Sequence, residues 1–382
     1  PAHADSVNTP VTQNIARPSS QELFALVAII ALGTVLRAIG LTAGLRIDER
    51  LTYQLFVAQS WTTAVSDYSQ VNNHIFHTVL AKISTGVFGP WLWALRLPAF
   101  VAGVLAMPAA FAAIRPLYGS RAALFATGLV ATCAEMVDYS ANARGYSLVT
   151  LAFLLLIILA ERLRHSPSVR DRALYSIVTA LAMWTVPTAL YPVGGVSLWL
   201  ALSLLRRRAF PELRAFVGSM LAAAALTVAL YLPALEHSGL AALVHNEVVA
   251  PSPWPVFLSE MWRSVGDTLW FWDRGMPALV AVLLGACALV AIVRYGDVSR
   301  DDAGFPYVVA VWCAVLLALN HRAPQVRVWQ WLVPLAAAMA GAGVVYLIDR
   351  SPRVATFTAR RFPAWVAAFA AIAAVSLIGS GL

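Results

Sequence analysis

Leu-Ala-Phe-Leu-Leu-Leu-Ile-Ile-Leu-Ala, residues 151–160, carries no charge and no turn-forming side chain. The run reaches back to Leu148, and comparable stretches recur at Leu23–Ile30 and Ala364–Ile378. Each sits in a window near the roughly 20 residues a helix needs to cross a bilayer. Hydrocarbon offers no partner to a bare N–H or C=O, so such a segment must satisfy its backbone internally, as a helix. A β-barrel would alternate apolar and polar positions along each strand, and residues 151–160 do not. The fold class expected is therefore all-α: a polytopic transmembrane helical bundle.

Composition agrees along the whole chain. Of 382 residues, 60% are hydrophobic and 12% charged, about half the charge of an ordinary soluble domain. The formal net charge is +8, and Lys82 is the single lysine. The arginines fall in short loops between apolar runs, so they are topology signals and lipid-headgroup contacts, and nucleic acid is not expected as a partner. Cys133, Cys287 and Cys313 lie in or beside apolar runs and read as small core residues.

Eleven spans are expected, at about 22–41, 96–114, 121–137, 146–161, 173–190, 192–205, 215–233, 276–293, 305–319, 328–348 and 363–381. Residues 1–21 form a polar stretch expected to be a disordered cytoplasmic tail, with 22–382 as one transmembrane domain. The segment 72–89 is apolar, but it opens with Asn-Asn-His and holds His77 and Lys82. It is expected to be an interfacial or half-inserted helix. Charge supports that choice. With the tail inside, most of the 27 basic residues face the cytoplasm, as the positive-inside rule requires; a crossing at 72–89 would turn Arg206–Arg208 outward. The outer loops are then about 42–95, 138–145, 234–275 and 320–327. The third carries Trp254, Trp262, Trp270 and Trp272, which reads as a helix at headgroup level, and it also holds His237 and His245.

Polar residues with chemistry to offer collect in these outer loops. Arg46-Ile-Asp48-Glu49-Arg50 follows the first span. It is either a solvated helix end or a place where a carboxylate orients or deprotonates an acceptor hydroxyl. Glu135-Met-Val-Asp138-Tyr139-Ser-Ala-Asn142-Ala-Arg144-Gly-Tyr146 is squeezed between two spans, where ionisable groups are costly unless paired or facing water. Arg144 could grip phosphate oxygens in a fork, or pair structurally with Asp138 or Glu135. His74 and His77 share a helical face; a metal would need a third ligand, so hydrogen bonding to substrate is more economical than ligation, with capping of a helix start as the bland reading. Arg322 and Arg327 in the last outer loop are further phosphate candidates. No GxGxxG, Walker, GxSxG or HExxH motif occurs, so an activated donor would have to arrive through the lipid.

The order of these features resembles the GT-C glycosyltransferases of the protein O-mannosyltransferase and aminoarabinose-transferase type. Asp48-Glu49 is similar to that family's acidic motif after the first span. Asn73-His74-Ile-Phe-His77 stands where a His-Pro-Pro-Leu-like stretch occurs, without its prolines. Phe88-Gly89 through Ala94-Leu95-Arg96-Leu97-Pro98, Tyr139-Ser140 through Arg144-Gly145-Tyr146, and Arg327 through Pro334 resemble later elements. Residues 165–320 match no element of the family, and no large C-terminal soluble domain of the kind some relatives carry is expected.

The resemblance implies an inverting sugar transfer from a polyprenyl-phosphate donor to a glycan, lipid or protein acceptor. Asp48 would be the base, Glu49 its support and Asp138, or failing it Glu135, the second acid. Arg144, with Tyr146, His74, His77, Arg322 and Arg327, would bind substrate and lipid phosphate. A divalent metal is left open by the resemblance. The expected setting is a bacterial cytoplasmic membrane with the site outside. A lipid or small-solute transporter would show an inverted repeat, which is not seen. A non-catalytic scaffold subunit would tolerate Asp48→Asn.

Overall fold

A computed structural model describes residues 18–70, 72–244 and 251–381. The expected tail therefore lies largely outside the described residues, as does His245. Every described element is helical. The chain begins with α1 (Ser20–Gly40), whose start is fixed by a capping box between Ser19 and Glu22, two otherwise orphaned donors satisfied reciprocally. Then come α2 (Ile47–Thr52), a π turn (Tyr53–Val57), α3 (Trp61–Ser66) and α4 (Ile75–Phe88). Next are α5 (Leu92–Tyr118), α6 (Ser120–Thr132), α7 (Ala134–Ser140), α8 (Tyr146–His165), α9 (Val169–Thr185), α10 (Leu190–Arg206) and α11 (Phe210–Val244). The last part holds α12 (Trp254–Asp273), α13 (Ala278–Val293), α14 (Tyr295–Val298), α15 (Phe305–Asn320), α16 (Val333–Asp349), α17 (Pro352–Ala359) and α18 (Phe362–Gly379).

All eleven expected spans fall on helices. Among the described residues, seven helical stretches are long and apolar enough to cross a membrane, and the bent pair α12–α13, at 114°, raises this to eight. α15 is a shorter apolar helix of 16 residues, and α9 has 17. Three expected boundaries move, the first at 173–190, where α9 stops at Thr185 before extended Val186 and a 3-10 turn. The span expected at 121–137 stops at Thr132, and a separate short helix follows after an extended residue, Cys133. The span expected at 328–348 starts as a 3-10 helix, Val326–Leu332. The ambiguous segment is α4, 14 residues long; at 1.5 Å per residue it reaches about 21 Å, short of the roughly 30 Å hydrocarbon core. It packs on α5, α3 and α9.

α5 packs on both α6, which follows it, and α8. α5 turns back into α6 at Gly119, whose φ of +85° is open to glycine and strained for other residues. The core is aromatic at its centre, where Phe153 meets Trp331 with ring centroids 4.9 Å apart and Trp199 meets Phe305 at 4.7 Å. The bundle sorts polar residues to two ends. Asp48, Asp138, Arg144, Arg274 and Arg327 gather at one, the acidic end. Glu161, Arg164, Arg206, Arg300 and Asp301 gather at the other, the arginine-rich end.

A charge lies within the first span. Arg37 of α1 is fully buried, and its guanidinium donates to the carbonyls of Gly33 (2.9 Å), Ala131 (2.9 Å) and Val130 (3.0 Å) and to Ser140 Oγ (3.1 Å). The break at Cys133 leaves the last carbonyls of α6 without helical donors. Arg37 supplies them and so holds α7 against α1.

Candidate functional site

The acidic end is assembled on a buried ion pair. Glu49 of α2 and Arg96 of α5 are both fully buried, and their contact is bidentate at 2.7 and 2.6 Å. Arg96 also donates to the carbonyls of Gly40, Leu41, Ala43 and Gly44, which end α1. Glu49 accepts the N–H of Arg46 and, at 2.9 Å, that of Ala143. Every strong group of the pair is therefore partnered, the condition under which a buried charge is tolerable. Glu49 ties the first outer loop to the loop before α8; it does not itself face open space.

Its neighbour on α2 points the other way. Asp48 is about one-third exposed and lies 3.1 Å from Arg327, which opens the 3-10 helix before α16. The Arg327 guanidinium also lies beside the Tyr146 hydroxyl. Asn72 connects this group to the next: its side-chain amide donates to the Asp48 carbonyl at 3.3 Å, and its own oxygens accept from Arg144. Arg144 is 3% exposed. Among the described residues no carboxylate lies within ion-pair distance of it, and its Nε has no partner. A buried guanidinium held only by neutral oxygens is a ready place for a phosphate.

Asp138 of α7 sits beside this group, 2.5 Å from Arg274 and 3.5 Å from Arg46. One turn earlier on the same helix, beyond the end of the apolar α6, Glu135 is 1% exposed and its Oε1 has no partner. Burial, with Asp138 adding to it, pushes the Glu135 carboxyl up to about 7. Burial and then Glu135 raise the Tyr139 hydroxyl likewise. The structure thus brings Asp48, Asp138, Arg144, Tyr146 and Arg327 together, with Glu135, the alternative second acid, beside Asp138, and adds Arg46, Asn72 and Arg274. Arg46 was visible as part of the charged run. Arg274 had no sequence signal, since its partner Asp138 is 136 residues away.

His74 and His77 are neutral and inside. His74 precedes α4, and its Nδ1 accepts the Gly145 N–H at 2.9 Å. Its ring meets Tyr146 edge-on at 4.9 Å. Burial and then Arg144 hold its basicity well below the usual range. Gly145 allows this contact because a Cβ there would come within 2.2 Å of Thr185. His77 is fully buried, is pushed down to about 3 by burial and then Arg144, and has both ring nitrogens unpartnered. Arg322 stands apart from the group: it bonds Ser252 Oγ at 3.4 Å in a local contact that also joins the Ser252 N–H to the His321 carbonyl. Among the described residues no three His, Cys, Asp or Glu side chains gather closely enough to hold a metal ion.

Residues 74–232 match the family model of dolichyl-phosphate-mannose-protein mannosyltransferase. The chain is similar in structure to ArnT from Cupriavidus metallidurans. Bound to undecaprenyl phosphate, that protein matches with a TM-score of 0.62 at 14% identity, covering 95% of this chain and 76% of that one. In the apo state the TM-score is 0.59 at 15% identity, covering 87% and 61%. The archaeal oligosaccharyltransferase AglB from Archaeoglobus fulgidus, in complex with an inhibitory peptide and a dolichol-phosphate, gives 0.56 at 15% identity, covering 94% and 55%. The chain thus spans 61% of the length of apo ArnT and 55% of that of AglB. No curated protein sequence matches the chain. At these identities the likeness is one of architecture, and it agrees with the order of motifs in the sequence: the chain is a multi-pass membrane protein of the GT-C fold, resembling the protein O-mannosyltransferase and aminoarabinose-transferase type.

Proposed function

We propose that the protein is a glycosyltransferase that takes a sugar from a polyprenyl-phosphate carrier at the acidic end of the bundle, with inversion. The observation that carries this is Arg144: buried, without a carboxylate partner among the described residues, and linked through Asn72 to the backbone carbonyl of Asp48, whose carboxylate is about one-third exposed. Asp48 accepts the proton of an acceptor hydroxyl as its oxygen forms a bond to the anomeric carbon. The bond from that carbon to the phosphate oxygen breaks on the opposite face, and polyprenyl phosphate leaves. Arg144 and Arg327 stabilise the charge that develops on the leaving phosphate, fixed donors in a partly dry site. Arg327 exchanges Asp48 for phosphate when the donor binds, which frees the carboxylate for the acceptor. Asp138, held by Arg274 and Arg46, orients the sugar, with Tyr146 beside it. Glu49 acts as a positioning residue through Arg96.

ArnT has been crystallised bound to undecaprenyl phosphate, and AglB is known in complex with a dolichol-phosphate, which supports a lipid-phosphate donor here. The arginine bias of the opposite end supports an extracytoplasmic site in a plasma membrane. The test is incubation of the protein in proteoliposomes with a panel of radiolabelled polyprenyl-phosphate sugars. Release of free carrier with at least one of them, lost in Asp48→Asn, is expected; no release with any sugar, or release unaffected by the substitution, contradicts the proposal.

A further inference from the structure

Cavities also open at the other end. One of about 700 Å³ opens between α10, α14 and α15. One side of its lining is apolar: Leu198 and Leu202 from α10, and Val308 and Val311 from α15. Val311 is 59% exposed, so this side is continuous with the outer surface of the bundle. The other side carries Arg206 and Arg300. Arg206 donates one N–H to the Asp302 carbonyl at 2.6 Å. Among the described residues no carboxylate lies within ion-pair distance of either arginine, whereas Arg121, Arg162, Arg164 and Arg207 at the same end are all paired. The two carboxylates in the lining are engaged elsewhere. Asp301 accepts from Trp199, Tyr295 and two backbone N–H groups, and Asp302 pairs with Arg164 and Arg207.

We infer that this groove binds one anionic phospholipid, with its phosphate between Arg206 and Arg300 and an acyl chain along Leu202 and Val308. Two unpaired guanidinium groups at a helix-bundle end meet the charge of such a headgroup, and the apolar wall meets the chain. The assignment does not rest on the transferase reading, since the groove is at the opposite end from Asp48.

The test is native mass spectrometry of the full chain released from micelles holding equal amounts of phosphatidylglycerol and phosphatidylcholine. Wild-type protein is expected to retain one phosphatidylglycerol selectively. Arg206→Gln and Arg300→Gln should each lower its occupancy about fivefold, from roughly 1 kcal/mol per arginine near an anionic surface. Arg353→Gln, an exposed arginine outside the groove at the same end, should leave it unchanged. Leu202→Trp, which narrows the apolar side without altering charge, should lower it too, while millimolar inorganic phosphate should not compete. Equal retention of the two lipids, full retention by Arg206→Gln together with Arg300→Gln, an equal loss in Arg353→Gln, unchanged retention in Leu202→Trp, or displacement by phosphate would each overturn the inference.

Discussion

At the arginine-rich end, Asp301 accepts two backbone N–H groups, the Trp199 indole and the Tyr295 hydroxyl, and lies 3.1 Å from Arg164. Glu161 and Asp302 also pair with Arg164. At the acidic end, Glu49 is held as completely by Arg96, but the groups around it are not. Glu135 Oε1, Arg144 Nε, Asn142 Oδ1 and both His77 nitrogens are buried without partners. A buried polar group left unmade costs about 1–3 kcal/mol, so such a cluster persists where function asks for it. One end closes its carboxylates into structure. The other buries only the Glu49–Arg96 pair completely, holds Asp48 and Asp138 in partly exposed pairs, and leaves unpartnered donors and acceptors beside them.

Substitutions can break this contrast. The largest effect is expected from Asp48→Asn, which removes the base: sugar transfer in proteoliposomes should fall about 10²–10⁴-fold with thermal unfolding unchanged. Arg96→Met should do the reverse in kind. It strands Glu49 in the interior, at a cost of about 3–5 kcal/mol, read as a lower midpoint in chemical unfolding.

Glu135 sharpens the contrast through pH. Its carboxyl is raised from 4.5 to about 7 in the folded protein, so the folded state holds a proton that the unfolded state has lost. Stability is full below pH 4.5 and falls as pH rises towards 7, by roughly 3 kcal/mol at most. The groups facing Glu135 are Asp138, Arg274, Arg327, Arg46 and Tyr139. Glu135→Gln should flatten the unfolding profile between pH 5 and 7; an unchanged slope would remove Glu135 as its source.

Arg144→Lys keeps the charge and loses the fork. A loss of about 2 kcal/mol, typical of a hydrogen bond to a charged group, should appear as a KM for the lipid donor raised roughly 30-fold, with kcat less affected. The smallest effect on function is expected from Asp301→Asn. It should lower stability by about 1–2 kcal/mol and leave the donor KM where it was, because its network ends far from the site.

The helices and the acidic loops were legible because their signals are local. Residues 151–160 announce a span by themselves, and Asp48-Glu49 stands out beside the first one. What could not be read were pairings across the bundle. Nothing near Glu49 says that it faces Arg96, 47 residues on, while Asp48 faces Arg327, 279 residues on. The division of two adjacent carboxylates into a holder and a working group comes from the roughly 100° between successive side chains on one short helix. The break at Cys133 was hidden because Ala134, Met136 and Val137 continue the apolar pattern through it. Arg322 looked equivalent to Arg327 by composition, and only the 3-10 turn after Gln325 separates them.

The most direct test of the shared site is a cryo-electron microscopy structure of the protein with polyprenyl phosphate in nanodiscs. The phosphate is expected between Arg144 and Arg327, with Asp48 released from Arg327 and facing the space where the sugar would lie. A phosphate bound away from both arginines, or Asp48 still paired with Arg327 in the lipid complex, would contradict it.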